Sequence, residues 1–260
     1  MSSVTDRVAL VTGAGGGIGR ATVERLVAGG ASVVATDLEA PAGFDAHGEH
    51  VVAIAADVRS RPSLDAAVDR ARERFGRLDI VSANAGVFTA IGKTWEVPEE
   101  DFSRVLDINL TGTFRTIQAA VPAILEGGRG GSIVLTSSVA AMVGVRRTAA
   151  YAVSKHGLSG LTKVLANDLG ADGVRVNSVH PTMVATDMVH SDEMLRRLVP
   201  GVEDPQVEDL ERLQRGSHVL QVPWVQALDV AEAIHFLCTD AARHLTGVEL
   251  PVDAGYLVKT

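Results

Sequence analysis

Two side chains in the run AAYAVSKHGL could together carry out acid/base chemistry. Tyr151 and Lys155 lie four positions apart, so a helix would place both on one face. A cation beside a phenol lowers the pKa of the phenol from about 10 towards neutrality, which lets the oxygen exchange a proton with a substrate. The pair also occurs on ordinary helix surfaces, but here Ser137 and Ser138 lie upstream and a glycine-rich turn follows the first apolar run. Together these features indicate a dinucleotide-dependent oxidoreductase.

The segment VALVTGAGGGIGRA places Gly13, Gly17 and Gly19 where a strand should turn into a helix. Without Cβ atoms the backbone can approach a pyrophosphate, and the helix N-terminus offers it free N–H groups and a partial positive charge. The spacing differs from the usual G-x-G-x-x-G fingerprint, and a flexible glycine turn is the alternative interpretation. We expect a phosphate-binding turn.

Asp37 ends the second apolar run, where a carboxylate can accept hydrogen bonds from both hydroxyls of an adenosine ribose. A 2′-phosphate at that point would meet a like charge, and no basic residue lies inside the glycine turn before Gly17. A solvated acidic turn residue is the alternative. The position favours NAD over NADP.

Short apolar runs rich in valine and isoleucine alternate with helical patterns along the chain, which predicts parallel strands with helices on both faces of the sheet. We therefore expect a single-domain α/β fold over residues 1–260, a Rossmann-type doubly wound parallel sheet of about seven strands. The predicted strands are Val8–Val11, Ser32–Thr36, Val51–Ala55, Leu78–Ser82, Ser132–Thr136, Val174–Val179 and Val248–Val252. The predicted helices are Ile18–Ala28, Pro62–Phe75, Glu99–Leu125, Ala149–Leu169 and Asp229–Leu237.

Residues 187–221 form an insertion between the sixth and seventh strands. Asp204 before Pro205 predicts a helix with an aspartate N-cap and a proline in its first turn. The insertion begins with apolar side chains that could close over a compact apolar substrate, or could simply anchor it to the core. The substrate contacts that we expect, one of them on the opposite wall, are Phe88, Met188, Met194 and Leu198.

The formal charge of −8 argues against a nucleic-acid or anionic-membrane partner, because both require basic surfaces. Cys238 is the single cysteine and lies in an apolar helical pattern, so we expect core packing and no intrachain disulfide. The histidines show no metal-ligand spacing, and no metal is expected. Neither a signal sequence nor a membrane-length apolar run is evident, which predicts a cytoplasmic protein.

The chain resembles the short-chain dehydrogenase/reductase family over essentially its whole length. The motifs occur in that family's order: TGAGGGIG (12–19), Asp57-Val58, Asn84-Ala85-Gly86, Asn109, Ser138, Tyr151 with Lys155, and Pro181 to Thr186. The C-terminal half is similar to carveol dehydrogenases and the mycofactocin-associated group through SVHPTMVATDM, VPWV and LPVDAG. Thr182 stands where many relatives have glycine, and the chain lacks the insertion after the second strand that helps members of that group to retain their cofactor. The resemblance therefore does not extend to permanently bound NAD.

The resemblance implies a role for each matching residue. Tyr151 would be the general acid/base, Ser138 would hydrogen-bond the substrate oxygen, Lys155 would hold the nicotinamide ribose and acidify Tyr151, and Asn109 would complete a proton relay. The implied cofactor-binding residues are Gly13, Gly17, Ile18, Gly19, Asp37, Leu38, Asp57, Val58, Asn84, Ala85, Gly86, Tyr151, Lys155, Pro181, Val184 and Thr186. Family members usually form homotetramers, so we expect one here.

These observations favour an NAD-dependent dehydrogenase that acts on a secondary alcohol or its ketone, with a compact apolar cyclic or aromatic skeleton. A 3-oxoacyl carrier-protein reductase is an alternative, against which Asp37 and the acidic composition argue. A non-catalytic dinucleotide-binding sensor or scaffold is a second alternative, which should have lost Ser138, Tyr151 or Lys155. The physiological substrate, the favoured direction and the stereochemistry are not evident from the residues.

Overall fold

The computed structural model describes residues 3–260 and is built around a parallel sheet. Its strands are β1 (Val8–Thr12), β2 (Ser32–Asp37), β3 (Val51–Ala55), β4 (Ile80–Ala83), β5 (Gly131–Thr136), β6 (Val174–Pro181), β7 (Val184–Ala185), β8 (Val225–Gln226) and β9 (Glu249–Val252). Seven of them form one sheet in the order β3-β2-β1-β4-β5-β6-β9, and β7 pairs with β8 apart from it. All seven strands expected from the apolar runs are present, with ends that differ by at most two residues.

Helices cover both faces of the sheet, as the strand composition predicts. They are α1 (Gly17–Ala28), α2 (Arg61–Phe75), α3 (Glu99–Leu106), α4 (Gly112–Glu126), α5 (Ala149–Leu169), α6 (Asp187–His190), α7 (Asp192–Leu198), α8 (Val207–Gln214) and α9 (Ala227–Cys238). Leu64 of α2, Ile124 of α4 and Leu169 of α5 belong to one buried cluster, whereas Leu26 of α1 and Ile234 of α9 belong to the other. The strands between them are therefore buried on both sides.

The strand order reverses at β1 and β4, which lie side by side although β2 and β3 separate them in the chain. In such sheets the loops on either side of the reversal diverge and leave a crevice at the carboxyl ends of the strands. Gly13 follows β1 and Asn84 follows β4 at this point. The fold thus brings the glycine turn and the Asn-Ala-Gly segment to one place.

A buried carboxylate joins β1 to β4 at the opposite, amino-terminal edge of the sheet. Asp79 is 1% exposed, and its Oδ2 accepts a hydrogen bond of 2.9 Å from the backbone N–H of Val8. The guanidinium of Arg77 donates to the same carboxylate, with Nε 2.8 Å from Oδ2. Asp79 therefore belongs to the framework of the sheet and lies far from the crevice.

The long helix expected over Glu99–Leu125 is interrupted. Between α3 and α4 the residues Asp107–Thr111 form a π-helical segment that contains Asn109. Such segments add one residue to a turn and are frequent at functional sites. The pattern predicted a continuous helix because the irregularity depends on contacts of Asn109 with another part of the chain.

The insertion carries α6, α7 and α8 and has a small core of its own, made by Val189, Leu195, Val199 and Leu210. The prediction of helix in this segment is confirmed, but the aspartate N-cap is wrong. Helix α8 begins at Val207 after an N-cap at Gln206, whose backbone N–H donates to Asp209 Oδ2 at 2.9 Å. Asp204 instead accepts from the Gln206 side chain at 3.3 Å, because the capping pair of Gln206 and Asp209 outcompetes it.

Cys238 ends α9 and is 7% exposed. Burial raises the pKa of its thiol to about 12, so the reactive thiolate is scarce at neutral pH. Within residues 3–260 no helix combines the length and the apolar character needed to cross a membrane.

Candidate active site

A cleft of about 860 Å³ opens at the carboxyl ends of the strands, beside the insertion. Most of the site residues expected from the sequence line this one cleft: Gly13, Gly17, Ile18, Asp37, Leu38, Asp57, Val58, Asn84, Ala85, Gly86, Phe88, Ser138, Tyr151, Lys155, Pro181, Val184, Thr186, Met188 and Leu198. Gly19, Asn109 and Met194 do not line it. Met194 is 6% exposed and lies outside the lining of the cleft, so the geometry does not support it as a substrate contact.

The glycine turn is shaped by close contacts with the neighbouring strand. Gly13 has a φ of +67°, and a Cβ atom there would lie 2.8 Å from the Cα atom of Ala85. A Cβ atom at Gly19 would collide with the carbonyl of Gly13. Helix α1 starts at Gly17, so its first N–H groups, which have no partner within the helix, face the cleft. Gly19 thus acts beneath the cleft, by allowing the turn to close.

Asp37 is fixed beside this turn by backbone donors. Its Oδ2 accepts from the N–H of Gly15 at 2.9 Å, and its Oδ1 accepts from the N–H of Leu38 at 2.7 Å. A carboxylate oxygen accepts more than one hydrogen bond, so both oxygens keep capacity towards the cleft. The arrangement holds a negative charge where the sequence predicted a ribose-binding carboxylate.

Asp57 lines the cleft in a bidentate pair that was not predicted from the sequence. Arg59 donates from Nη2 to Oδ2 at 2.7 Å and from Nε to both oxygens at 3.1 Å. Hydrogen bonds from Arg59 lower the pKa of the Asp57 carboxyl. The D-x-R spacing could have indicated this pair, because the side chain of an arginine two positions after an aspartate in a turn can fold back and donate to that carboxylate.

Asn84 ties the two central strands together at the reversal. Its Nδ2 donates to the carbonyls of Thr12 and Gly13, both at 3.2 Å, and its backbone N–H donates to Thr12 Oγ1 at 3.1 Å. The side chain therefore fixes the floor of the cleft against the glycine turn.

Ser138, Tyr151 and Lys155 converge at the other end of the cleft. Lys155 is buried, donates from Nζ to the carbonyl of Thr136 at 2.7 Å, and lies 5.5 Å from the centre of the Tyr151 ring. The Ser138 hydroxyl accepts from the N–H of Ala140 at 3.1 Å, donates to the carbonyl of Pro181 at 3.5 Å, and lies close enough to the phenol of Tyr151 to lower its pKa. The expected triad is therefore assembled around the Tyr151 hydroxyl.

The protonation of this triad differs from the expectation. Burial raises the pKa of Tyr151, and the nearby Ser138 hydroxyl offsets only part of that effect. Burial also lowers the pKa of Lys155 to about 8. The pKa of Tyr151 in this state thus lies above its ordinary value and not below it as predicted, because removal of the phenol from water outweighs the effect of Ser138.

Asn109 is fully buried and supports the site from behind. Its Oδ1 accepts from the N–H of Val87 at 2.8 Å, and its Nδ2 donates to the carbonyl of Val87 at 3.0 Å and to Ser154 Oγ at 3.2 Å. Ser154 in turn donates to the carbonyl of Tyr151 at 2.7 Å. The amide is occupied by these contacts, so any proton relay at Asn109 does not run through its side chain.

Two buried histidines that were not predicted from the sequence brace the same end. The Nδ1 of His180 lies 3.0 Å from the carbonyl of Ser138, and its Nε2 lies 2.8 Å from Ser178 Oγ. The Nε2 of His218 lies 3.0 Å from Thr182 Oγ1, and its Nδ1 lies 2.8 Å from the carbonyl of Val222. Because a carbonyl only accepts, each Nδ1 carries the proton, and each Nε2 accepts from the neighbouring hydroxyl.

The walls near Tyr151 mix apolar and cationic side chains. The rings of Phe88 and Tyr151 meet edge to face, with centres 4.7 Å apart. The further lining residues that were not predicted from the sequence include Arg104, Arg146, Arg147 and Tyr256. Arg104 lies on α3, Arg146 and Arg147 lie in the loop before α5, and Tyr256 follows β9, so only the fold brings them together.

Comparisons with known proteins agree with this geometry. The family model described as Enoyl-(Acyl carrier protein) reductase matches residues 13–257. The (-)-trans-carveol dehydrogenase of Rhodococcus erythropolis is 41% identical, with 100% of both chains covered. The cyclohexanol dehydrogenase of an Acinetobacter species is 34% identical, with 98% of this chain and 96% of the relative covered.

The crystal structure of a carveol dehydrogenase from Mycobacterium avium in complex with NAD superimposes with a TM-score of 0.93, at 39% identity and over 100% of both chains. The resemblance thus extends over the whole length in both sequence and structure. The motifs, the sheet order and these relatives lead to one conclusion: the chain belongs to the short-chain dehydrogenase/reductase family.

Proposed function

We propose that this protein is an NAD-dependent oxidoreductase that transfers hydride between the nicotinamide and a cyclic secondary alcohol or its ketone. One observation carries the proposal: a single cleft joins Asp37 and the glycine turn at one end to Ser138, Tyr151 and Lys155 at the other. The relatives named for carveol and cyclohexanol support this class of substrate. All three catalytic side chains are present, which argues against a non-catalytic dinucleotide sensor.

The residues at the first end of the cleft fit NAD. The free N–H groups at the start of α1 would bind the pyrophosphate, and the lone pairs of Asp37 would accept the adenosine ribose hydroxyls. Lys155 would hold the nicotinamide ribose. When bound, NAD supplies the ring that accepts or releases the hydride.

The catalytic end supplies the proton transfer that must accompany hydride transfer. In alcohol oxidation, Ser138 donates a hydrogen bond to the substrate oxygen, and Tyr151 takes the hydroxyl proton as the carbon loses its hydride. In ketone reduction the same groups act in reverse, and Tyr151 returns the proton. Asn109 acts as a positioning residue, through Val87 on one side and Ser154 on the other.

The substrate ring would lie against apolar side chains beside Tyr151. Phe88 already contacts the Tyr151 ring, and Met188 and Leu198 line the cleft from the insertion. We propose that residues 187–221 act as a lid, which excludes water from the hydride transfer while the rest of the single domain stays fixed.

Apolar side chains on α4 and α5 support a homotetramer. Phe114, Val153 and Val164 are exposed on these helices although each has a large apolar surface. Light scattering of the purified protein would test this proposal, because a monomer would leave those side chains in water.

The central test is turnover of a panel of secondary alcohols with NAD, together with the variant Tyr151→Phe. Removal of the phenol oxygen should lower kcat by about 10²-fold or more, as expected for a positioned proton donor. Tyr256→Phe is the matched control, because it removes the hydroxyl of the second of the two tyrosines without touching the pair with Lys155. Normal turnover by Tyr151→Phe would overturn the mechanism.

A further inference from the structure

Three arginines at the catalytic end of the cleft have no carboxylate partner. Arg104, Arg146 and Arg147 all line the cleft, yet none of them forms an ion pair with any residue in the described range 3–260. The other two arginines of the lining are neutralised: Arg59 by Asp57 at 2.7 Å and Arg197 by Glu193 at 2.7 Å. In a chain of formal charge −8, such a concentration of unpaired cations points to an anionic ligand.

These arginines gather around the segment that supports Tyr151. Arg104 Nη2 donates to Thr89 Oγ1 at 3.3 Å, and the carbonyl of Arg147 accepts from the N–H of Gly92 at 2.9 Å. Phe88, immediately before Thr89, contacts the Tyr151 ring. Helix α3 and the loop before α5 thus bring these arginines to the part of the cleft beside Phe88.

The backbone of this wall is held in a costly conformation. Ala90 and Arg147 adopt φ values of +59° and +68°, a region that residues with a Cβ atom rarely occupy. Residues kept in such conformations tend to cluster at ligand-binding sites, where the surrounding contacts fix them. The backbone of Arg147 is therefore held in place by the surrounding fold.

We propose that the substrate is a cyclic secondary alcohol that carries a carboxylate on the side of the ring away from the hydroxyl. This inference rests on the proposed function and specifies its substrate class. The ring would pack on Phe88, Met188 and Leu198 with its hydroxyl at Ser138 and Tyr151. The carboxylate would meet the guanidinium groups, whose planar forks match its two oxygens.

A compact carboxylate fits better than a carrier-bound thioester. The phosphates of such a thioester are separated from the reacting carbon by the long pantetheine arm. Arg147, by contrast, precedes Tyr151 by four positions, which limits their Cα separation to about 15 Å. The anionic group and the reacting hydroxyl therefore belong to one small molecule.

The test compares three substrates of the NAD-loaded enzyme: 4-hydroxycyclohexanecarboxylate, its methyl ester and cyclohexanol. The acid should have a kcat/KM about 10- to 100-fold above that of the ester, as expected for charge-assisted hydrogen bonds. That advantage should shrink when salt is raised to about 0.5 M, because exposed charges are screened. In the double variant Arg146→Gln/Arg147→Gln and in Arg104→Gln, the kcat/KM for the acid divided by that for cyclohexanol should fall, mainly because the KM for the acid rises.

Arg243→Gln is the matched control, because it removes an exposed arginine that lines a separate cavity at the amino-terminal edge of the sheet. In this control the kcat/KM for the acid divided by that for cyclohexanol should equal the value for the unaltered protein. Equal use of acid and ester, an unchanged ratio in the cleft variants, or a preference for hydroxyacyl thioesters would each overturn the proposal.

Failure of the proposed dehydrogenase function can be distinguished from failure of the carboxylate site, because without the dehydrogenase function cyclohexanol would not be oxidised either. In that case calorimetric binding of cyclohexanecarboxylate against its carboxamide still tests the site. Tighter binding of the acid that is lost in Arg146→Gln/Arg147→Gln would support it, and equal binding of acid and amide would overturn it.

Discussion

Tyr151 and Lys155 both resist carrying charge in the protein without its ligands. Burial raises the pKa of the phenol and lowers that of the ammonium to about 8. A protonated phenol is ready to donate to a ketone, whereas alcohol oxidation requires the phenolate. The two directions of the reaction therefore draw on different protonation states of the same residue.

This difference predicts that the two directions depend differently on pH. An acid whose pKa is raised ionises only as the pH climbs, so kcat/KM for alcohol oxidation should increase between about pH 7 and pH 9, by up to tenfold per unit. The value for ketone reduction should not increase over that range. Steady-state profiles in both directions provide the measurement. A flat oxidation profile, or one that Tyr151→Phe also shows, would contradict the assignment.

A second prediction at the scale of single residues concerns the cofactor preference set by Asp37. Its carboxylate is held by the N–H groups of Gly15 and Leu38, so it should repel a 2′-phosphate. We expect kcat/KM to favour NAD over NADP by about tenfold or more, which corresponds to about 1.4 kcal/mol. Asp37→Ser should narrow the gap, while Asp45→Ser, whose carboxylate does not line the cleft, should leave it unchanged. Equal use of both cofactors by the unaltered protein would exclude this role.

Residue identities in the motifs could be predicted from the sequence, but their partners could not. Gly13, Asp37 and Tyr151 follow from local spacing, because each sits at the end of a strand or on a helix face. The contact of His180 with the carbonyl of Ser138 depends on the pairing of β5 with β6. The meeting of Arg104 on α3 with Arg146 and Arg147 in the loop before α5 likewise depends on how distant parts of the chain pack.

At the scale of elements, Thr182 and His218 join the loop after β6 to the end of the insertion. Thr182 is absent from the residues with positive φ in the described range, so its side chain is accommodated without strain. Its hydroxyl donates to His218 Nε2 at 3.0 Å. The buried imidazole thereby anchors one end of the proposed lid to the catalytic edge of the sheet.

Loss of this hydrogen bond should loosen the lid. Thr182→Val keeps the shape of the side chain but leaves a buried acceptor unpaired, at a cost of about 1–3 kcal/mol. We expect a several-fold higher KM for the alcohol, an unchanged KM for NAD and faster amide exchange in residues 207–221. Thr182→Ser retains the hydroxyl and should restore the ordinary values. Identical kinetics and exchange in the valine variant would show that the contact is not an anchor.

The elements themselves were largely predictable, because apolar periodicity is a local property. The failures are informative. Both Asp204 and Gln206 can cap a helix, and the sequence does not reveal that Asp209 completes the pair with Gln206. The π-helical turn at Asn109 likewise follows from its bonds to Val87, a residue on another loop.

At the scale of the whole molecule, the two edges of the sheet have separate roles, one in catalysis and one in stability. The carboxyl edge carries the cleft, whereas Asp79 at the amino edge joins β1 to β4. Asp79→Ala would leave the guanidinium of Arg77 and the N–H of Val8 without their partner. Stability and catalysis should therefore be separable by mutation.

Asp79→Ala should destabilise the fold by about 3–5 kcal/mol, the usual cost of breaking a buried ion pair. For a chain of this size the corresponding drop in Tm is about 10 °C. Asp240→Ala is the control, because that carboxylate is 90% exposed and lies 3.8 Å from Arg7, so its loss should change stability by less than about 0.5 kcal/mol. Thermal unfolding of both variants and of the unaltered protein measures the difference. Equal Tm values for Asp79→Ala and the unaltered protein would refute the framework role. At temperatures below the unfolding transition, kcat should stay normal in both variants.

Cys238 has a practical consequence for studies of motion. The single cysteine of the chain is buried at the end of α9, and its thiolate is scarce at neutral pH. Thiol-directed dyes should therefore leave the native protein unlabelled. A cysteine introduced at the exposed Leu213 of α8 would be the only group to take a fluorophore, without prior removal of Cys238. The fold thus provides a ready background on which opening of the insertion can be followed by fluorescence in solution.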